Sequence, residues 1–192
     1  RGSQQGLWLT KPVASAVFVW LGLASGALDS SYGKLVLAGL ALCMLGDVLL
    51  IPRDRPGVFR AGVFAFLFGH VAYSAAFLTL PLSFIGLAGG GVLLALVIGA
   101  VLRWLGPALP PDMVAAVRTY MVVIGVMSTL ACGVTAAGGP WQVAVGALAF
   151  TASDVSVARD RFVQHEFVNR AWGLPLYFGA QLLLAVTPAL TG

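Results

Sequence analysis

Two aspartates, Asp47 and Asp154, lie inside long apolar stretches of the chain, each one to two helical turns from the end of its stretch. An ionisable side chain inside a membrane span is costly and usually serves a function. Two carboxylates in one poorly hydrated site repel each other's charge, so we expect one to keep its proton near neutral pH while the other ionises. The sequence therefore predicts an acid–base pair. The alternative is that each carboxylate is paired with an arginine or lysine near the membrane interface.

The surroundings of the two aspartates resemble each other. In residues 38–55 and 145–161, a glycine (Gly39, Gly146) precedes the aspartate by eight positions, and an Arg-Asp-Arg triplet follows it. The two copies are 107 positions apart, with four apolar segments from one to the next, so both point the same way across the membrane. This indicates a parallel internal repeat that brings Asp47 and Asp154 together near its axis. The alternative is chance similarity between two apolar helices.

A third apolar stretch carries an aromatic stripe. Phe66, His70, Tyr73 and Phe77 follow one another at spacings of four, three and four, so they share one face of a helix. We predict that His70 and Tyr73 line a pocket, with His70 in a supporting or substrate-lining role. A buried histidine bonded to a neighbouring carbonyl group is an equally good interpretation.

Several cations near segment ends are candidates for binding a phosphate group. They are Lys11, Arg118 and Arg170, and Tyr120 lies beside the second of them. Guanidinium groups suit phosphate oxygens, but long cationic side chains near helix ends also extend to lipid headgroups without binding a substrate. The sequence leaves both roles open.

The elements that must position these residues follow from composition. Of 192 residues, 59% are hydrophobic and 9% are charged, with a mean hydropathy of +0.95. A soluble domain carries about 25% charged residues, so a soluble globular protein and a disordered chain are both excluded. Seven apolar segments can be marked, near residues 10–28, 33–52, 57–79, 83–103, 113–136, 140–158 and 167–190. They are apolar on all faces and too long for barrel strands, which predicts an all-α, polytopic transmembrane helix bundle with seven spans.

We predict a single transmembrane domain over residues 10–192, preceded by a linker or tag remnant at residues 1–9. With seven spans, ten of the eleven basic residues fall on one side of the membrane, which the positive-inside rule makes cytoplasmic. These are Arg1, Lys11, Arg53, Arg55, Arg60, Arg103, Arg118, Arg159, Arg161 and Arg170. They form no run of five or more, so no nucleic-acid partner is expected. Asp112 is expected to cap the fifth helix.

Other chemistries find no support in the sequence. No serine-hydrolase elbow, zinc-protease motif, P-loop or dinucleotide fingerprint is present. Cys43 and Cys132 lie inside apolar stretches without metal-ligand spacing, so we expect buried thiols, and neither a metal nor a cofactor.

Taken in order, the short motifs resemble those of the YhhN-like lysoplasmalogenase family. They are Lys11-Pro12, Leu45-Gly46-Asp47-Val48-Leu49-Leu50, Gly69-His70-Val71-Ala72-Tyr73, Gly146-Ala147-Leu148 and Ser153-Asp154, with Asn169 and Tyr177 where the family has polar residues. The resemblance covers nearly the whole chain. The family pattern implies eight spans, one of them before the Lys-Pro helix, where this chain shows seven.

The resemblance implies hydrolysis of the vinyl ether bond of lysoplasmalogens to a fatty aldehyde and a glycerophospho-ethanolamine or -choline. That chemistry needs one protonated carboxyl as the acid and one carboxylate as the base and cation stabiliser, roles that fit Asp47 and Asp154. The implied partners are a lysophospholipid and membrane lipids. The phosphate would bind at the cytoplasmic rim, near Lys11, Arg118 or Arg170, in what is expected to be a bacterial inner-membrane protein.

Two other functions also use aspartates inside a membrane. An intramembrane aspartyl protease would resemble its families in a G-x-G-D element, but position 44 is Met here, so the element reads Met44-Leu45-Gly46-Asp47. A proton-coupled lipid or small-molecule transporter fits the aspartates, the histidine and the parallel repeat. A transporter is expected to need access from both faces, whereas these polar residues gather toward one.

Overall fold

The computed structural model describes residues 2–52 and 55–191, and for residues 2–7 and 9 it describes the backbone alone. Within these residues the chain forms seven long helices and no strand. The long helices are α1 (Gly2–Ala24), α2 (Ser31–Leu49), α3 (Pro56–Phe77), α4 (Phe84–Leu105), α5 (Val114–Ala136), α6 (Trp141–Ala158) and α7 (Phe167–Ala185). A short helix, α8 (Pro188–Thr191), follows. Arg1 and Arg53, two of the predicted cytoplasmic cations, lie outside the described residues.

The prediction of a polytopic transmembrane helix bundle is confirmed. Among the described residues, five helices are long and apolar enough to cross a membrane: α2, α3, α4 with its 3₁₀ extension, α5, and α6 with its π-helical extension. The part of α1 from Thr10 to Ala24 is a shorter apolar helix. Large apolar side chains such as Phe84, Ile85 and Trp20 lie exposed on the outside of the bundle, where lipid would cover them. The chain is therefore an integral membrane protein.

Three boundaries differ from the predicted segments. Helix α1 begins at Gly2 because polar residues can extend a helix beyond its apolar part; the linker interpretation of residues 1–9 stays a prediction. Helix α6 continues as a π-helical turn, Arg159–Val163. The expected cap at Asp112 is wrong: α5 begins at Val114 without a side-chain cap, and Asp112 pairs with Arg60 at 3.1 Å instead.

Six of the described helices pack in a ring, and their order follows the predicted repeat. The ring runs α1, α2, α3, α5, α6, α7 and back to α1, while α4 packs on the outside of α5. The first half of the ring is α1, α2 and α3, and their counterparts in the second half are α5, α6 and α7. Helices that are neighbours in the first half have counterparts that are neighbours in the second half. The most extensive contacts, α2 with α3 and α6 with α7, are counterparts of each other. This packing agrees with a parallel repeat about an axis through the ring.

The repeated glycines lie at points of close approach within each of these two helix pairs. A methyl group at Gly39 would lie 2.7 Å from the Tyr73 ring, and one at Gly146 would lie 3.0 Å from Leu184. Small residues at such points let membrane helices pack closely without a hydrophobic driving force. The glycines therefore bring α2 against α3 and α6 against α7, and so set the positions of Asp47 and Asp154.

We expect Gly39→Ala to destabilise the protein by about 1–3 kcal/mol, because the fully buried Tyr73 ring has no room to move away from a new methyl group. The matched control is Gly89→Ala in α4, where nothing lies within 4 Å of the added methyl group. There we expect a melting temperature that is unchanged or slightly raised. Thermal unfolding of the detergent-solubilised proteins measures both, and equal melting temperatures for the two variants would contradict the prediction.

Candidate active site

A cavity of about 500 Å³ opens at the end of the bundle where α2 and α6 end. Its lining comes from all six ring helices and the segments that join them, and both Asp47 and Asp154 belong to it. Most of the wall is apolar, with Val63, Val117 and Leu174 among its residues. Such a cavity, mostly apolar with a few converging polar groups, is typical of a small-molecule site.

Asp47 is buried, and three side chains with hydrogen-bond donors contact its carboxylate. The Ser15 hydroxyl and the Tyr177 hydroxyl each donate to its Oδ2 at 2.6 Å, and the Lys11 ammonium lies 3.4 Å from its Oδ1. A cation and two hydroxyl donors all stabilise the ionised carboxylate. The predicted alternative of a carboxylate paired with a lysine is thus realised at this position, while Asp47 still lines the cavity.

Asp154 has different partners and no described lysine or arginine among them. The Tyr120 hydroxyl donates to its Oδ2 at 3.2 Å, and Nε2 of His70 lies 3.2 Å from the same oxygen. The other ring nitrogen of His70, Nδ1, lies 2.7 Å from the Phe66 carbonyl oxygen. His70 is fully buried and lies between a carbonyl oxygen and Asp154. The contact with a carbonyl group matches the second interpretation offered by the sequence. Neither His70 nor Tyr73 belongs to the lining of the cavity, so a supporting role for His70 stays a prediction.

Aromatic rings pack between His70, which lies beside Asp154, and Tyr177, which donates to Asp47. The His70 ring stacks on Phe150 with centroids 4.3 Å apart, and the Phe150 centroid lies 5.6 Å from that of Tyr177. Phe66 contacts both Phe150 and Tyr177 edge-on. Packing of this kind holds His70 and Tyr177 in fixed orientations toward their respective carboxylates.

The cavity lining also contains two arginines that form no ion pair with an aspartate or glutamate among the described residues. Arg170 lines the cavity, and its buried Nε has no hydrogen-bond partner among the described residues. Arg161, from the π-helical turn, also lines the cavity and lies 4.3 Å above the Phe59 ring. Guanidinium groups of this kind can take a phosphate. Arg118 lies elsewhere, in a second pocket with Arg103.

The other predicted site residues divide between the cavity and its surroundings. Tyr120, Ser153 and Tyr177 line the cavity. Tyr73 lies deeper and donates to Gln181 at 2.6 Å. Asn169 is fully buried and joins the π-helical turn to α7 through Arg159, Asp160 and Gln164. Binding roles for Tyr73, Arg118 and Asn169 remain predictions, because none of the three lines the cavity.

Sequence reasoning missed Ser15, Arg161 and His165. Ser15 sits in an apolar helix like many structural serines, and nothing in its own surroundings marks it. The other two lie in what the sequence presented as a loop, whereas the π-helical turn directs Arg161 into the cavity lining. Such turns inside or at the end of α-helices are frequent at functional sites.

Within the described ranges, no three His, Cys, Asp or Glu side chains gather as metal ligands.

The fold and site define an integral membrane protein whose helix ring encloses a two-carboxylate cavity with an apolar wall and a cationic rim. The chain belongs to the YhhN family, whose model matches residues 6–187. Lysoplasmalogenase TMEM86A of Bos taurus is 30% identical over 188 residues, which cover 95% of this chain and 68% of that protein. Lysoplasmalogenase TMEM86B of Homo sapiens is 32% identical over 90% of this chain and 69% of its own length. No solved structure matches the chain.

Proposed function

We propose that this protein is a membrane hydrolase that cleaves the vinyl ether bond of lysoplasmalogens. The products are a fatty aldehyde and a glycerophospho-ethanolamine or -choline. The observation that carries the proposal is that Asp47 and Asp154 line one cavity with apolar walls and an arginine rim. Similarity to proteins named lysoplasmalogenases supports it.

The reaction uses the two carboxyl groups in turn. One carboxyl delivers its proton to the vinyl carbon distal to the ether oxygen, which leaves an oxocarbenium ion beside the other carboxylate. Water adds to that ion and gives a proton to the carboxylate. The hemiacetal then breaks its bond to the glycerol oxygen, which takes that proton, while the hemiacetal hydroxyl returns a proton to the first carboxyl. Both groups end as they began, with one water consumed.

The substrate lies with its chain along the apolar wall and its phosphate at the rim. Val63, Val117 and Leu174 contact the chain, and Arg170 and Arg161 take the phosphate oxygens. Lys11 is already engaged by Asp47, so its role is to hold that carboxylate ionised. Because the basic residues gather at this end of the bundle, the site faces the cytoplasm, in a bacterial inner membrane.

The direct test is aldehyde release by the purified protein from a lysophospholipid with a vinyl ether at its first carbon. Matched substrates carry an ester or a saturated ether at the same position. We expect aldehyde from the vinyl ether alone, since protonation of carbon requires the double bond. No aldehyde from the wild-type protein would overturn the proposal and favour a transporter or an intramembrane protease.

Removing the rim charge should weaken binding more than chemistry. We expect Arg170→Gln to raise KM by about 10-fold or more with a small change in kcat, because a charge-assisted contact to phosphate contributes about 1.5–3 kcal/mol. The control is Lys34→Gln, an exposed cation at the opposite end of the bundle. Steady-state kinetics on mixed micelles give both constants, and a KM equal to that of the control would rule out this phosphate contact.

A further inference from the structure

The two carboxylates occupy corresponding positions in the repeat, yet their partners differ in charge. Lys11 and Arg118 are 107 positions apart, as are His70 and Tyr177, so each pair occupies equivalent places in the two halves. Tyr177 donates to Asp47, and His70 contacts Asp154, so each partner crosses to the carboxylate of the other half. The cations break this symmetry: Lys11 reaches Asp47, while Arg118 lines a separate pocket and Tyr120 approaches Asp154 instead.

The hydrogen bond at Nδ1 fixes where the imidazole proton lies. The Phe66 carbonyl oxygen, 2.7 Å from Nδ1, can only accept, so Nδ1 carries a hydrogen. Nε2 then has a free lone pair when the ring is neutral. It lies 3.2 Å from Oδ2 of Asp154, within ion-pair distance, but forms no hydrogen bond with the described residues in this arrangement. A lone pair so close to an ionised carboxylate is unfavourable. A proton held by the pair, either on the carboxyl or on an imidazolium, would remove this repulsion.

We propose that the His70–Asp154 pair stores the proton that starts the reaction, and that Asp47 is the permanent carboxylate. This assignment rests on the proposed function and divides its two roles. Asp154 lines the cavity and delivers the proton, whereas His70 lies behind it and is a positioning residue that keeps the proton on the pair. Lys11, Ser15 and Tyr177 leave Asp47 ionised to stabilise the oxocarbenium ion and to activate water.

The titratable and charged groups around the pair come from three neighbouring helices. They are Tyr120 from α5, Cys43 and Asp47 from α2, and Arg170 and Tyr177 from α7. The Asp47 charge is balanced by Lys11, and Arg170 lies at the rim of the cavity. Of these groups only Tyr120 contacts Asp154, so His70 is the one nitrogen base beside that carboxylate among the described residues.

Nitrogen-15 NMR of the wild-type protein, labelled at histidine, tests the assignment without relying on activity. The chain has two histidines, and His165→Gln identifies the His70 signals by difference. We expect Nδ1 to be protonated across the pH range, with Nε2 either an acceptor or part of an imidazolium. A neutral ring protonated at Nε2 would donate to an ionised Asp154, leave no proton to deliver and overturn the proposal.

The pH dependence of aldehyde release supplies the second readout. In His70→Gln, Asp154 must store the proton alone, so we expect kcat to fall about 100-fold and the basic limb of its pH profile to move to lower pH. A basic limb that stays in place in His70→Gln while activity falls would reduce His70 to a structural role and overturn the proposal.

Should His70→Gln fail to fold, the NMR result on the wild-type protein decides. If wild type releases no aldehyde, the proposed function fails, and the NMR result still reports the tautomer.

Discussion

Asp154→Asn is expected to lower aldehyde release by about 10²–10⁴-fold, the usual contribution of a positioned general acid. An asparagine side chain has almost the same shape and can still accept from Tyr120, so the fold is kept while no proton can be delivered. The product assay on purified variants measures the loss. The ratio of the wild-type kcat to that of the variant is a lower limit on the contribution of Asp154, because water in the cavity could still protonate the substrate slowly and leave a residual rate.

Asp29→Asn is the matched control for that experiment. Asp29 is exposed in the turn between α1 and α2, at the opposite end of the bundle, so the same chemical change there should leave the rate unaltered. If Asp154→Asn kept more than about a tenth of the wild-type rate, well above the loss expected for a general acid, Asp154 could not be the proton donor. For Asp154→Asn we expect a folded protein with the wild-type melting temperature and only the slow residual rate.

The helices could be predicted from the sequence because a membrane imposes a simple rule on apolar length. Their order in the ring could not, since packing between apolar helices depends on small residues and shape rather than on a hydrophobic pattern. The repeat was detectable at Asp47 and Asp154 because the residue type is the same in both copies. It was not detectable at His70 and Tyr177, where the two halves have diverged, although both stand 107 positions apart.

Divergence between the halves also explains which site contacts were missed. Lys11 and Arg118 looked like equivalent phosphate-binding cations in the sequence, but the first turns inward to Asp47 and the second lines another pocket. A single sequence does not reveal that choice, because it depends on which helix face meets the cavity. Ser15 follows Lys11 by four positions and so shares its helix face, but its contact with Asp47 is evident only once α1 is packed against α2.

Asp47→Asn is expected to lower aldehyde release by about 10²–10⁴-fold, for a different reason from Asp154→Asn. Its ionised form is the group that stabilises the oxocarbenium ion and takes a proton from water, and an amide does neither. The change also leaves the Lys11 ammonium without its carboxylate, so the variant should melt at a lower temperature as well. Loss of activity in this variant alone would not separate catalysis from stability.

The double variant Lys11→Met/Asp47→Asn makes that separation. Removing both members of the pair leaves no unpaired charge, so the melting temperature should recover toward the wild-type value. The new amide oxygen can still accept from Ser15 or Tyr177, which keeps the hydroxyl contacts in place. If Asp47 acts in the reaction, aldehyde release stays lost although stability returns. If Asp47 were a structural ion-pair partner alone, activity would return together with stability, and the two-carboxylate mechanism would fail at this residue.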